Sequence, residues 1–200
     1  MIVVVLTGSI AMGKSTTATM FNWRKIPIFD ADKVVHNLFS KGGAAVGMVN
    51  EHFPSATAND KVDRAVLGQI VFGDPNRLSI LESIIHPLVD KERNRFLQTH
   101  RRRKTKMVVL DIPLFYETKK QYKRDFVCVV SAPGFLQRQR ALGRPGMTRH
   151  KLDAILARQM PDHEKRKRSN FVIPTGLGIA YTNRRLCRTL NKIRYCRNVM

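Results

Sequence analysis

The chain has 200 residues, 43% of them hydrophobic, which is enough apolar material for a packed core and excludes a disordered chain; the length fits one compact domain with room for a small insert. Lys and Arg number 36 against 15 Asp and Glu, a formal charge of +21 that points to anionic partners such as nucleotides, nucleic acid or acidic lipid without choosing among them. The apolar start MIVVVL is too short for a signal-peptide core and no run approaches the ~20 apolar residues of a membrane span, so a soluble, cytoplasmic protein without membrane partners is expected.

Residues 2–6 are β-branched or Leu without polar interruption, the mark of a central parallel strand covered on both faces. A helix is predicted from Gly13 to about Trp23. Ile26 to Asp32, IPIFDAD, reads as a second short strand ending in acids, and Val34, Val35, Leu38 and Phe39 follow at helical spacing. From Val62 to Leu97 the apolar positions recur with a helical period and Pro54, Pro75 and Pro87 punctuate the segment, which predicts a mostly helical insert. After the basic loop HRRRKTK, Met107–Leu110 and Phe126–Val130 are the third and fourth buried strands. The residues from Gly134 to Met160 read as a helix, a Gly143–Gly146 break and a second helix. NFVIPTG is the last strand, and Leu186, Leu190 and Ile193 give a closing helix one apolar stripe. Strands separated by helices predict a mostly parallel, five-stranded α/β sheet. Cys128, Cys187 and Cys196, odd in number and without metal-type spacing, fit inert thiols in a reducing compartment.

The stretch LTGSIAMGKSTT, Leu6 to Thr17, meets the pattern G-x-x-x-x-G-K-[ST] with Gly8, Gly13, Lys14 and Ser15, and lies between a buried strand and a helix. Backbone N–H groups from about Ala11 to Thr16, Met12 among them, can curl round a phosphate chain, reinforced by the positive end of the new helix. Lys14 would reach the β- and γ-phosphates of a nucleoside triphosphate and the Ser15 hydroxyl would bind Mg²⁺. The bland reading, a tight turn permitted by glycine, is outweighed by the agreement of motif and context.

Asp30 and Asp32 lie at the carboxyl end of the second predicted strand, the side of an open α/β sheet where ligands gather, and either could take a proton from a hydroxyl attacking the γ-phosphate. Asp32, opening the next helix, could instead be an N-cap. Asp111, ending a buried strand, is a candidate Mg²⁺ ligand, with a turn-forming Asp before Ile-Pro as the rival. Arg138, Arg140 and Arg144 lie on the helix that meets the Gly143–Gly146 break. Arg140 and Arg144 share a face by their i, i+4 spacing, as in a lid that closes guanidinium groups over the migrating phosphoryl; the rival reading is solvated surface charge.

Taken in order, LTGSIAMGKST, IFDAD, LGQIVFGDPNRLSILESIIHPLV, VVLDIPLFYE, RQRALGRPGM and ARQMPDHEKRKRSNFVIPTG resemble the dephospho-CoA kinases from Met1 to about Gly178. These are P-loop kinases that complete coenzyme A by phosphorylating the ribose 3'-hydroxyl of dephospho-CoA with ATP. The resemblance implies a P-loop NTPase fold of three α/β/α layers in a single domain, with a helical acceptor-binding insert over 31–100 and a lid over 133–160. It makes Asp32 the general base, puts His86 and Pro87 on the acceptor side and Arg140 and Arg144 in the lid, and brings Thr175 and Gly176 near the adenine. Mg²⁺, ATP and dephospho-CoA are the implied partners, in a monomer or weak homo-oligomer with no specific nucleic acid. The sequence departs from the family at Ala11, where Gly is common, and at Asn170 and Pro174 on the adenine side. The family gives no account of the basic stretches YETKKQYKRDF and NRRLCRTLNKIRYCRNVM. A nucleoside or nucleoside-monophosphate kinase is the rival enzyme. A P-loop nucleic-acid-binding protein is the rival of another class, favoured by RRRK, KRKR and NRR but lacking interleaved aromatics or a recognition motif.

Overall fold

A computed structural model describes residues 1–118, 122 and 124–199, the last three of these by their helical backbone alone. The stretch YETKKQYKRDF therefore falls partly outside the described residues. Two compact units are formed, Met1–Phe29 with Thr105–Met200, and Asp30–Lys104.

The strands are β1 (Ile2–Thr7), β2 (Ile28–Asp30), β3 (Thr57–Ala58), β4 (Lys61–Val62), β5 (Met107–Asp111), β6 (Phe126–Ser131) and β7 (Phe171–Pro174). Five of them make one sheet in the order β2-β5-β1-β6-β7, and β3 with β4 makes a separate antiparallel hairpin. β1 is buried at every residue and pairs in parallel with β5 on one side and β6 on the other, which is why it tolerates no polar side chain before Thr7. Its alternate residues Ile2, Val4 and Leu6 share a core with Cys128 and Val130 of β6 and Ile173 of β7. The helices α1 (Lys14–Asn22) and α9 (Gly178–Val199) cover that core, α1 with Met20 and Phe21, α9 with Leu186, Leu190 and Ile193. Burial there pushes the Cys128 thiol up to about 12, so it stays protonated and unreactive.

Leu6 lies opposite Asp111, Thr7 opposite Val129, and Ser131 opposite Pro174. The carboxyl ends of β1, β5, β6 and β7 therefore come out along one edge, and the chain leaves β1 for β2 on one side of it and later crosses from β5 to β6 on the other. Such a switch point is where open α/β sheets bind ligands.

An Asx residue just before a strand is used twice to start a parallel ladder. The Asp125 backbone N–H donates to the Val3 carbonyl at 2.9 Å while its carboxylate accepts from the Val3 N–H at 2.6 Å. Asn170 repeats the device one strand over: its N–H donates to the Val127 carbonyl at 3.0 Å and its Oδ1 accepts from the Val127 N–H at 2.8 Å. Only an acceptor oxygen is required at either position, so Asn in place of Asp at 170 keeps the bond. It also lies at the amino end of β7, away from the edge where the strands emerge. Pro174 ends β7, an edge strand, where the missing N–H is tolerated.

In the second unit α2 (Ala31–Phe39), α3 (Val46–His52), α4 (Arg64–Val71) and α5 (Pro75–Arg102) enclose a separate core of Leu38, Phe39, Val49, Phe53, Leu67, Ile84, Ile85 and their neighbours. Three of these helices start on an aspartate cap: Asp30 accepts from Lys33 N–H, Asp63 from Ala65 and Val66, and Asp74 from Asn76 and Arg77. The second strand thus stops at Asp30, two residues before the predicted end, because the Asp30 side chain already caps α2. Asp32 consequently sits in the first helical turn and is not the cap. Pro87, expected to punctuate, lies inside the 28-residue α5. An interior Pro costs about 3 kcal/mol, but burying Ile84 and Ile85 with Leu81, Leu88 and Val89 packed on the same core returns roughly 1.5–3 kcal/mol for each fully buried side chain, so the helix continues.

Asn170→Asp is expected to change stability by less than about 0.5 kcal/mol and Asn170→Ala to lower it by about 1 kcal/mol or more, because only the latter strands the Val127 N–H; urea midpoints of the two variants measure the difference.

Candidate nucleotide site

The loop from Gly8 to Gly13 leaves the central strand at the sheet's carboxyl edge and ends as α1 begins. Gly8 is required by close packing: a Cβ there would stand 2.9 Å from the Val130 carbonyl oxygen and closer still to the Val130 Cγ2 methyl. Gly13 caps α1 with φ +87°, a left-handed conformation, and its missing Cβ makes room for the Thr175 side chain at about 3.1 Å. Ala11 also lies in the left-handed region, at φ +60°, which a residue with a Cβ adopts at a cost of roughly 1–2 kcal/mol. Its methyl group is recovered in part by burial, since Ala11 is 7% exposed and packs with Ala141 and Leu152.

Lys14, first residue of α1, reaches the end of β5 and pairs with Asp111 at 2.7 Å, the carboxylate side chain being 6% exposed. The sequence reading gave these two residues separate duties; the fold brings them together at the mouth of the loop. Ser15 and Thr16 follow at the exposed start of the helix. Ser15 hydroxyl and Asp111 carboxylate are hard oxygen donors of the kind Mg²⁺ takes while keeping several waters, and among the described residues no cluster of three or more His, Cys, Asp and Glu offers a fuller cage.

Thr175, buried just past β7, ties the site's components together. Its N–H donates to Ser131 O at 2.8 Å, and its hydroxyl donates to Met12 O at 2.8 Å with Ser131 O at 3.3 Å as a second acceptor. Arg140, from α6 (Gly134–Leu142), donates to the Thr175 carbonyl at 2.8 Å and to its hydroxyl at 3.3 Å. Gly176 beside it packs on Pro133, whose Cδ an added Cβ would meet at 2.8 Å. Thr175 is thus committed through its side chain to the loop, and two Arg140 donors are committed to Thr175. Neither link was visible in the spacing of the sequence.

Arg140 and Arg144 do not share a helical face, because α6 ends at Leu142 and Gly143 caps it, leaving Arg144 exposed in the turn. A second helix, α7 (Arg149–Arg158), follows as predicted, and Arg138 pairs with its Asp153 at 3.0 Å on the surface. A third, α8 (Asp162–Arg168), was too short and too charged to be read.

In the second unit Asp32 is exposed, and among the described residues no hydrogen bond or ion pair holds its carboxylate. His36 follows on the same face of α2, about 6 Å further along by helical rise. His36 opens onto a cavity of about 670 Å³ that also takes in Lys41, Lys61 and Arg64, with Phe39 and Val62 buried behind them. These cations were missed in the sequence, since nothing in their spacing links the end of α2 to the β3–β4 hairpin. His86 lies on α5, half-buried, beside Ile84 and Ile85 in the core that α2 shares.

Comparison with known proteins gives a consistent result. Residues 2–179 match the family model described as dephospho-CoA kinase. A protein of Paramagnetospirillum magneticum named dephospho-CoA kinase is 55% identical over 80% of this chain and 76% of its own length. One of Mesorhizobium japonicum with the same name is 51% identical over 90% of each chain. The solved structure of a dephospho-CoA kinase from Campylobacter jejuni superposes with a TM-score of 0.66 at 25% identity, covering 96% of both chains. No described helix is long and apolar enough to cross a membrane.

Thr175→Val keeps the shape but leaves the Met12 carbonyl without its donor, which costs about 1–3 kcal/mol. For a chain of this size that lowers the melting temperature by roughly 2–10 °C, readable by calorimetry.

Proposed function

We infer the reaction from a plain premise: the chain belongs to the dephospho-CoA kinase family. It transfers the γ-phosphoryl group of ATP to the ribose 3'-hydroxyl of dephospho-CoA, giving coenzyme A and ADP. The observation that carries this reading is the Lys14–Asp111 pair at the mouth of a left-handed loop on the sheet's carboxyl edge, inside a family match that spans nearly the whole chain.

Phosphoryl transfer asks the protein for position and for charge rather than for covalent chemistry. The loop N–H groups from Ala11 to Thr16 hold the phosphate chain, and the Lys14 ammonium exchanges part of its contact with Asp111 for the β- and γ-phosphate oxygens. Ser15 and Asp111 would hold Mg²⁺, which when bound neutralises triphosphate charge. Arg144, exposed in the turn, and the Arg140 donors not spent on Thr175 meet the charge that spreads over the migrating group. Thr175 and Gly176 shape the adenine side through the backbone, since the threonine side chain faces inward.

Asp32 takes the proton of the attacking 3'-hydroxyl. Two observations support it: Asp30 performs the capping that would otherwise have used an acid at the helix start, and the Asp32 carboxylate is exposed with no fixed partner among the described residues. The insert over 31–100 holds the acceptor, with His86 on that side. The cavity one turn beyond Asp32 suits the rest of the molecule, Lys41, Lys61 and Arg64 facing its diphosphate and Phe39 and Val62 its less polar arm. A nucleoside kinase would share the loop, but its uncharged acceptor has no need of these cations; a nucleoside monophosphate would use them for its phosphate but has no less polar arm for the apolar wall.

Turnover measured with dephospho-CoA, AMP, CMP and nucleosides tests the acceptor; ATP-dependent product from a nucleotide alone would reject the assignment. Lys14→Ala is expected to abolish turnover and weaken ATP binding, whereas Asp32→Asn lowers kcat by roughly 10² or more with ATP affinity nearly intact. Lys61→Ala and Arg64→Ala should each raise the KM for dephospho-CoA several-fold without changing that for ATP, which steady-state kinetics with either substrate varied will read.

A further inference from the structure

The hairpin of α6 and α7 does more than carry arginines: it grips the phosphate loop at one residue from both sides. Ile10 offers two backbone polar groups at the loop's outer arm. Its carbonyl accepts from Gln137 Nε2 of α6 at 2.9 Å, and its N–H donates to Oε1 of Gln159, the residue that closes α7, at 3.0 Å. Because the backbone fixes which partner must donate and which must accept, the amide orientations follow from chemistry.

Both glutamines are themselves held. Gln137 is 8% exposed and lies next to the buried Ala141 on α6. Gln159 precedes Met160, whose N–H donates to Glu117 Oε1 at 2.9 Å, and Glu117 in turn pairs with the fully buried Lys165 at 2.8 Å. Between the two contacts, Ile10 and Ala11 pack on Ala141, Leu152, Met147 and Leu156, a small apolar core shared by loop and hairpin. The residue immediately after the gripped one is Ala11, in the left-handed conformation, and the next N–H, that of Met12, donates back to the Ser9 carbonyl at 3.2 Å, so the turn at Ala11 sets where the helix start and its donors lie.

We propose that Gln137 and Gln159 are positioning residues for the phosphate loop, one as donor to Ile10 and the other as acceptor from it, so that ATP affinity is set in part by the α6–α7 hairpin. The proposal rests on the reading of the loop as the ATP site. Neither side chain touches nucleotide; each acts by keeping the strained turn at Ala11 in the conformation that presents its donors. Loss of either bond lets the loop spend time in other conformations, and binding weakens by the fraction of time so spent.

The two positions have opposite chemical requirements, and that separates positioning from simple packing. Gln159→Leu removes the acceptor and should raise the Kd for ATP roughly tenfold, the equivalent of one lost bond at about 1.4 kcal/mol. Gln159→Glu keeps an acceptor and should stay within about threefold of the parent. Gln137→Glu places an acceptor against the Ile10 carbonyl and should weaken ATP at least as much as Gln159→Leu. Dephospho-CoA KM should be unchanged throughout. Asp153→Ala, which breaks only the surface pair with Arg138, serves as the control and should leave ATP affinity unaltered. Amide hydrogen exchange at Ile10, read without nucleotide, should quicken in Gln159→Leu and not in Gln159→Glu. Equal ATP affinities for Gln159→Leu and Gln159→Glu, or unaltered affinity in both Gln159→Leu and Gln137→Glu with only a lower melting temperature, would overturn the proposal. A parent protein that binds no ATP would overturn the reading of the loop instead, and Ile10 exchange would then decide the pinning by itself.

Discussion

A loop proposed to present backbone N–H groups to an anion can spend few of them on itself, so its shape has to be imposed largely from outside. That constraint organises the first unit. The loop turns through two left-handed residues, Ala11 and Gly13, and bonds to itself where the Met12 N–H donates to the Ser9 carbonyl at 3.2 Å. Each strand end along the sheet's carboxyl edge contributes one restraint: Val130 of β6 closes against Gly8, Asp111 of β5 holds Lys14, and Thr175 after β7 holds the Met12 carbonyl. The strands are in register at that edge, so the restraints converge on one short segment. The apolar interior of the sheet supplies rigidity, and the loop draws on it through a handful of directed bonds.

Part of the excess positive charge sits at helix ends. Arg101, Arg102 and Arg103 end α5, and Lys165 to Arg168 fill the last turn of α8, where cations offset the negative end of the helix dipole. Lys165 is buried against Glu117 and is structural. Another part lines the cavity of the second unit, where Lys41, Lys61 and Arg64 stand with Asp63 around a partly apolar floor. Cations in that setting favour a ligand that is anionic in one part and not in another.

The sequence made the sheet legible because buried parallel strands are continuous apolar runs, and it made the loop legible because its glycines, lysine and hydroxyl sit at fixed spacing after such a run. The seven-residue helices α3 and α8 and the two-residue strands of the β3–β4 hairpin were not legible, since they carry neither a full helical period nor a continuous apolar run. Asp30 and Asp32 could not be told apart as cap and free acid because both flank the helix start, and only the backbone angles decide which side chain meets the Lys33 N–H. The shared face drawn for Arg140 and Arg144 assumed the helix ran through Gly143, which instead ends it. The link from Ile10 to Gln137 and Gln159 spans 127 and 149 residues, a distance at which no local pattern speaks.

The family model ends at residue 179, just inside α9, yet Leu186, Leu190 and Ile193 on the inner face of that helix lie in the same core as Val4 and Leu6 of the central strand. The border of the family model and the border of the mechanical unit therefore differ in this chain. The part the family model covers carries the loop and its chemistry, while the segment beyond it shuts the sheet off from water with one greasy side.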